Sequence, residues 1–170
     1  GGIYTYNAGN PNLTEDAEVM YNIIIDVHGN GDNQGRDYGV AYGIYMDNQT
    51  IDADIKYNTI GNVASGLYLH ENGNTTWQYN TIYDALCGCR ASKEYSNSYI
   101  YDNIFFGIDR PGSFVWWTDE PQVLQVRDSS SPVYDRNEYY QPYDTDCFRS
   151  GSNMNFASWK SATGQDSNSS

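Results

Sequence analysis

At 170 residues, with a net charge of −13, 18% charged residues and 15% aromatic ones, the chain draws most of its polarity from uncharged Asn, Ser, Thr, Gly and Tyr. So acidic a surface argues against nucleic-acid and anionic-lipid partners, and so many aromatics argue against a disordered acidic tail. No apolar run approaches the roughly 20 residues that a membrane-crossing helix needs.

Gly1-Gly2-Ile3-Tyr4 reads as an early copy of a motif that recurs downstream, and the Pro and Asn of the following AGNPNLTEDAE discourage regular structure. Tyr21-Asn22-Ile23-Ile24 opens the next unit. His28–Asp37, rich in Gly and Asn, then lengthens it into a candidate binding loop. Asn30, Asp32 and Gln34 alternate as calcium-loop ligands do, without the closing Glu, and an ordinary solvated turn accounts for them as well.

Tyr42–Asn80 contains one pattern written twice. Gly43-Ile44-Tyr45-Met46-Asp47 answers Gly66-Leu67-Tyr68-Leu69-His70 at a step of 23, and Tyr57-Asn58-Thr59-Ile60 answers Tyr79-Asn80-Thr81-Ile82 at a step of 22. Such a period means one supersecondary unit stacked on copies of itself. Ile44, Met46, Leu67 and Leu69 alternate with polar residues, a period of two that predicts short strands buried on one face. The recurrent Asn predicts a tight corner with a left-handed backbone, its amides laddered from coil to coil. The fold expected is all-β: a single-stranded parallel β-helix of about 22–23 residues per coil.

After Asp102-Asn103-Ile104-Phe105 the pattern loosens. Pro111-Gly112 reads as a turn, and Phe114–Trp117, Val123–Val126 and Val133-Tyr134 read as short strands. Asn137 is a last copy of the Asn corner, Met154–Lys160 a helical turn, and Gly164–Ser170 a polar tail. The whole of 1–170 is expected to be one β-helix domain, regular over about 20–107 and irregular over 108–170. Because Gly1-Gly2 starts inside a repeat, the chain reads as a piece of a longer helix. Cys87, Cys89 and Cys147 are an odd set: either of the first two pairs with Cys147, or all three are buried thiols.

Stacking places equivalent positions of neighbouring coils about 4.8 Å apart. Tyr45 should therefore meet Tyr68, and Asp47 should meet His70, on one outward face. Arg90 falls under His70 if Cys89-Arg90 continues Leu69-His70, or under Tyr68 if the count runs from Asn80. Asp47 and Glu71 lie one coil plus one residue apart, so their carboxyl groups could approach to roughly 5–6 Å, the separation of a retaining glycosidase pair. Each also reads as a polar turn residue. His70 between an Asp and an Arg could hold substrate or be a plain surface histidine. Of Trp116 and Trp117 the outward one, taken as Trp117, offers a sugar platform, unless both pack in the core.

The coil YGIYMD with SGLYLH one turn later, the repeated YNTI corners and the closing FASWKSATGQDSNS resemble right-handed, pectate-lyase-like parallel β-helix proteins of secreted carbohydrate-degrading systems, among them β-helix glycoside hydrolases. That resemblance implies a secreted polysaccharide-active protein acting on a xylan-like plant glycan, with Asp47 as nucleophile and Glu71 as acid. Tyr45, Tyr68, His70, Arg90 and Trp117 would bind substrate. It implies no required cofactor and no resident metal, with calcium left open. Two alternatives accompany it: a lyase on an acidic glycan, using Arg90 or Lys93, and a non-catalytic glycan-binding solenoid.

Overall fold

The computed structural model describes residues 2–7, 16–27, 41–92, 97–107, 122–126 and 132–170, with main chain only for 122, 123 and 125. Strands β1 (Ile3–Thr5), β2 (Glu18–Met20), β3 (Ile23–Ile25), β4 (Tyr42–Met46), β5 (Asp54–Lys56), β6 (Thr59–His70), β7 (Thr76–Gln78) and β8 (Thr81–Ser92) come first. They are followed by β9 (Tyr99–Tyr101), β10 (Ile104–Gly107), β11 (Gln122–Val126), β12 (Val133–Asp135), β13 (Glu138–Tyr140), β14 (Phe148–Ser150), β15 (Ser152–Met154) and helix α1 (Phe156–Thr163). One sheet runs β1-β4-β6-β8-β11-β14-β15, with β3 beside the first half of β6, and β10 then β13 continuing from the first half of β8. The other runs β12-β9-β7-β5-β2. Successive coils pair in parallel, so the chain is the expected parallel β-helix.

Register converts the sequence period into columns. Ile3, Ile44, Leu67, Cys89, Leu124 and Phe148 lie in line through one sheet. Ile24, Ile60, Ile82, Phe105 and Tyr139 form a second column, and Val19, Ile55, Trp77, Ile100 and Tyr134 a third on the other sheet. Most of these side chains are fully buried and belong to one core cluster. Each contributes about 1.5–3 kcal/mol of burial, but only in the stack, because a lone three-residue strand has no partner face. The close stacking of the long strands requires glycine: a Cβ on Gly66 would lie 2.6 Å from the Gly88 carbonyl and 2.5 Å from Ile82 Cγ2.

The corners hold a ladder of Asn22, Asn58, Asn80, Asn103 and Asn137. Each of the first four donates its main-chain N–H and its Nδ2 to the Oδ1 of the next, at 2.9–3.1 Å. Asn58 to Asn137 also donate Nδ2 to the carbonyls of Val19, Ile55, Trp77 and Ile100. The left-handed residue expected at this corner is not the Asn but its predecessor: Tyr21, Tyr57, Tyr79, Asp102 and Arg136 have φ between 54° and 58°. The ladder fixes the Asn side chain inward, so the turn falls on the residue before it. Tyr57 and Tyr79 are compensated by main-chain N–H bonds to Gln78 and Asp102 and by rings stacked about 5 Å apart.

The C-terminal region departs from this regularity. Asn137 is a corner as expected, but β15 turns back antiparallel on β14, which ends that column. Helix α1 starts at an Asn155 cap, stops at left-handed Gly164, and buries Trp159 against Tyr134 and Phe148. The expected polar tail 164–170 is in fact built in. Asp166 is 1% exposed and accepts bonds from Trp159 Nε1 and Ser169 Oγ, while Ser169 Oγ takes the N–H of Asn137, the place that Asn137 Oδ1 fills for Asn103.

Candidate functional site

Strands β1, β4 and β6 place Tyr4, Tyr45 and Tyr68 side by side, because the register that turns Ile3, Ile44 and Leu67 inward turns the following residue outward. Tyr45 lies 5.1 Å from Tyr4 and 4.4 Å from Tyr68, ring to ring. Tyr6 extends the row, 6.4 Å from Tyr4 and nearly parallel. Arg90 sits in register with Tyr68, its guanidinium 4.6 Å over that ring, which settles the two alignments in favour of Tyr68; Ser92 is the residue under His70. Tyr68 and Arg90 are buried at 7% and 2%, whereas Tyr4 and Tyr6 are 56% and 54% exposed. The accessible end of the row is therefore Tyr4, Tyr6 and the half-buried Tyr45.

Asp47 is the polar centre of this face. Its main-chain N–H reaches the Thr5 carbonyl, and its side chain accepts from Tyr4 Oη at 2.9 Å, from the Asn48 N–H at 2.8 Å and from Tyr45. His70 Nδ1 lies 2.8 Å from Asp47 Oδ1 and 3.0 Å from Asn48 Oδ1, so the ring hydrogen belongs on Nδ1. Burial pushes the Asp47 carboxyl up, but the bonds from His70, Asn48, Tyr4 and Tyr45 outweigh it and hold the pKa below its ordinary value. Burial, then the bond to Asp47, raises Tyr4 to about 12, and burial raises Tyr42 to about 12. Near neutral pH the face thus presents protonated phenols around a carboxylate.

Glu71 sits one residue past His70, at a left-handed corner with φ 49°. Its carbonyl accepts from the Gln49 N–H at 2.7 Å and its N–H donates to Ser92. Asp47 faces His70 as the period required, and Glu71 follows it. Trp117, the His28–Asp37 loop and Lys93 lie outside the described residues. Buried Arg90 is a poor candidate to abstract a proton from a polysaccharide, because it is stacked inside the row rather than at its surface.

Sequence reasoning passed over Tyr6, Tyr42 and Asn48 as site residues, and saw Tyr4 only as part of a repeat. The Ile3-Tyr4 copy already carried the signal for Tyr4. Tyr42 was hidden because it has the parity of inward-facing Ile44, yet its ring packs 4.8 Å from Tyr45 and 5.2 Å from Tyr68.

A family model described as periplasmic copper-binding protein (NosD) matches residues 11–110. No curated protein and no solved structure gives a significant match. The family is named for copper, which sits poorly with the expectation that no cofactor is required, so the donor atoms matter. Among the described residues no three His, Cys, Asp or Glu side chains converge as a metal-binding group. Cys87, Cys89 and Cys147 are buried thiols that form no disulfide. Burial raises Cys87 to about 12, which disfavours the thiolate that would bind copper, and Cys89 is packed between Leu67 and Leu124 in the core. His70 Nδ1 is engaged by Asp47 and Asn48. The described donors do not fit a copper centre. The family's periplasmic name does agree with a chain that works outside the cytoplasm. With more than half its length matched and the parallel coils in place, the chain belongs to the NosD family of parallel β-helix proteins.

Proposed function

We propose that the chain is an extracytoplasmic β-helix that binds a neutral, xylan-like polysaccharide across Tyr4, Tyr6 and Tyr45, with His70 and the Asp47 cluster supplying polar contacts at one side. The exposed tyrosine row carries this reading. Phenol rings offer apolar faces to sugar C–H surfaces, and hydroxyls, amides and a carboxylate gathered beside them suit sugar hydroxyls. The net charge of −13 favours a neutral glycan over a polyuronate. The family's periplasmic name supports the location, and release to the extracellular medium is part of the same proposal.

Hydrolysis is the second reading, favoured by the depressed pKa of Asp47, which keeps it ionised as a nucleophile must be. Glu71 would then protonate the leaving oxygen. Against it weighs the number of bonds that already occupy Asp47, which suit a positioning role better than attack. Affinity electrophoresis in xylan gels and calorimetry with xylohexaose test the binding reading: Tyr45→Ala should weaken binding about tenfold, and wild-type protein that is not retarded by xylan overturns it. Reducing ends released by wild type but not by Asp47→Asn would move the assignment to hydrolysis, and an unsaturated uronide product would move it to a lyase.

A further inference from the structure

The second sheet carries an outward face that the proposed glycan row does not use. Register brings Thr76, Tyr99 and Val133 into one outward column, and Gln78, Tyr101 and Asp135 into the next. Over them lies an open cavity of about 560 Å³ lined by Thr76, Tyr99, Tyr101, Val133, Asp135 and Arg136. Tyr99 and Val133 are 43% and 47% exposed, adjacent in register, and form an apolar floor.

Its polar rim is already held in place. Arg136 reaches over the Tyr101 ring, 4.8 Å from its centroid, and donates Nε and Nη2 to the two carboxylate oxygens of Asp102 at 2.8 Å each. Gln78 Nε2 donates to the same carboxylate. Asp135 is fixed by the N–H and Nδ2 of Asn168. The bonds from Arg136 keep Asp102 below the ordinary carboxylate pKa, and those from Asn168 do the same for Asp135, so the rim carries two carboxylates against one guanidinium.

From this arrangement we infer that the Tyr99 cavity is a second, separate binding site for a neutral oligosaccharide, with one sugar ring seated on Tyr99 and Val133 and its hydroxyls meeting Thr76, Asp135 and Arg136. Half-buried aromatic and aliphatic groups flanked by immobilised donors and acceptors suit a ligand that is apolar on its ring face and polar at its edge. Arg136, the guanidinium in the lining, is already paired with Asp102, which disfavours a uronate, and the same strip continues over neighbouring coils into Glu18 and Asp54, the latter paired with Lys56. The inference stands on this sheet alone and does not need the Tyr4–Tyr45 row to bind anything.

The test is a titration of the full chain with xylohexaose and with cellohexaose, followed residue by residue in amide NMR spectra. Saturable shifts are expected at Thr76, Tyr99, Tyr101 and Val133 with at least one of the two sugars. Tyr99→Ala should weaken them about tenfold, Tyr99→Phe should restore them, and Tyr4→Ala with Tyr45→Ala should leave them unchanged. No saturable shift at these amides in the wild-type chain overturns the site, whether or not Tyr99→Ala folds. So does binding undiminished in a folded Tyr99→Ala, or trigalacturonate binding there as tightly as the neutral sugars. Shifts confined to Tyr4 and Tyr45 would sink this site and keep the row; shifts confined to Tyr99 would do the reverse.

Discussion

Two ladders run side by side through the corners of this molecule, one residue apart in sequence, and they do opposite work. Asn58, Asn80, Asn103 and Asn137 are at most 1% exposed, and their amides close every hydrogen bond that the corner would otherwise leave open. Tyr21, Tyr57 and Tyr79, immediately before three of the ladder residues, stand in solvent at 74%, 43% and 46%, in a backbone conformation that bulky residues seldom adopt. The same repeated dipeptide therefore places its specificity in the polar member and its strain in the aromatic one. A buried amide has no substitute for its partner, whereas an exposed ring has water.

Variants that break the inner ladder should cost most. Asn80→Ala removes the acceptor of the Asn58 N–H and amide and the donors to the Ile55 carbonyl and to Asn103, inside the core. We expect about 3 kcal/mol or more of lost stability, read from urea unfolding; a loss no greater than that of an outer-ladder variant would undo the contrast. Gly66→Ala forces a methyl against Gly88 and Ile82 and should cost about 2 kcal/mol in the same measurement.

Acid should act next, and through the site rather than the ladder. The pKa of Asp47 is lower in the fold than in the unfolded chain, so its contribution is complete above the unfolded value of about 3.9 and drains away as pH falls through the lower folded value. Asp102 and Asp135 have the same sign. Thermal midpoints should therefore fall below about pH 4, and Asp47→Asn should flatten part of that fall. A midpoint that drops equally steeply in the variant would show that the Asp47 bonds contribute nothing.

The outer ladder should respond least. Tyr57→Ala keeps a non-glycine residue at the left-handed corner and deletes only the stacking with Tyr21 and Tyr79, so about 1 kcal/mol is expected. A Tyr57→Gly variant should recover some or all of that loss, because glycine relieves the backbone strain. If Tyr57→Ala proved as damaging as Asn80→Ala, the outer ladder would be as essential as the inner one.

Much of the fold is legible in the sequence. The steps of 23 and 22, between Gly43 and Gly66 and between Asn58 and Asn80, dictated which residues would be vertical neighbours, and hence the Tyr45–Tyr68 and Asp47–His70 pairs. The residue under His70 was not readable, since two alignments of Arg90 differed by two positions and only the register of β6 on β8 decides between them. The candidate site was legible in its residue types and not in its exposure. Tyr68 and Arg90 look from the sequence like the middle of an open face, but they are buried, and access shifts toward Tyr4 and Tyr6.

What the sequence determined by itself was the repeat: alternating apolar residues, a recurring glycine, and an Asn at each corner, all local properties of a unit that is copied. Tertiary structure alone decided what remains exposed and how the irregular C-terminal coils pack. The antiparallel turn of β15, the seat of Trp159 and the capture of Asp166 by Asn137 and Trp159 depend on contacts that occur once, and a contact that occurs once leaves no period to read.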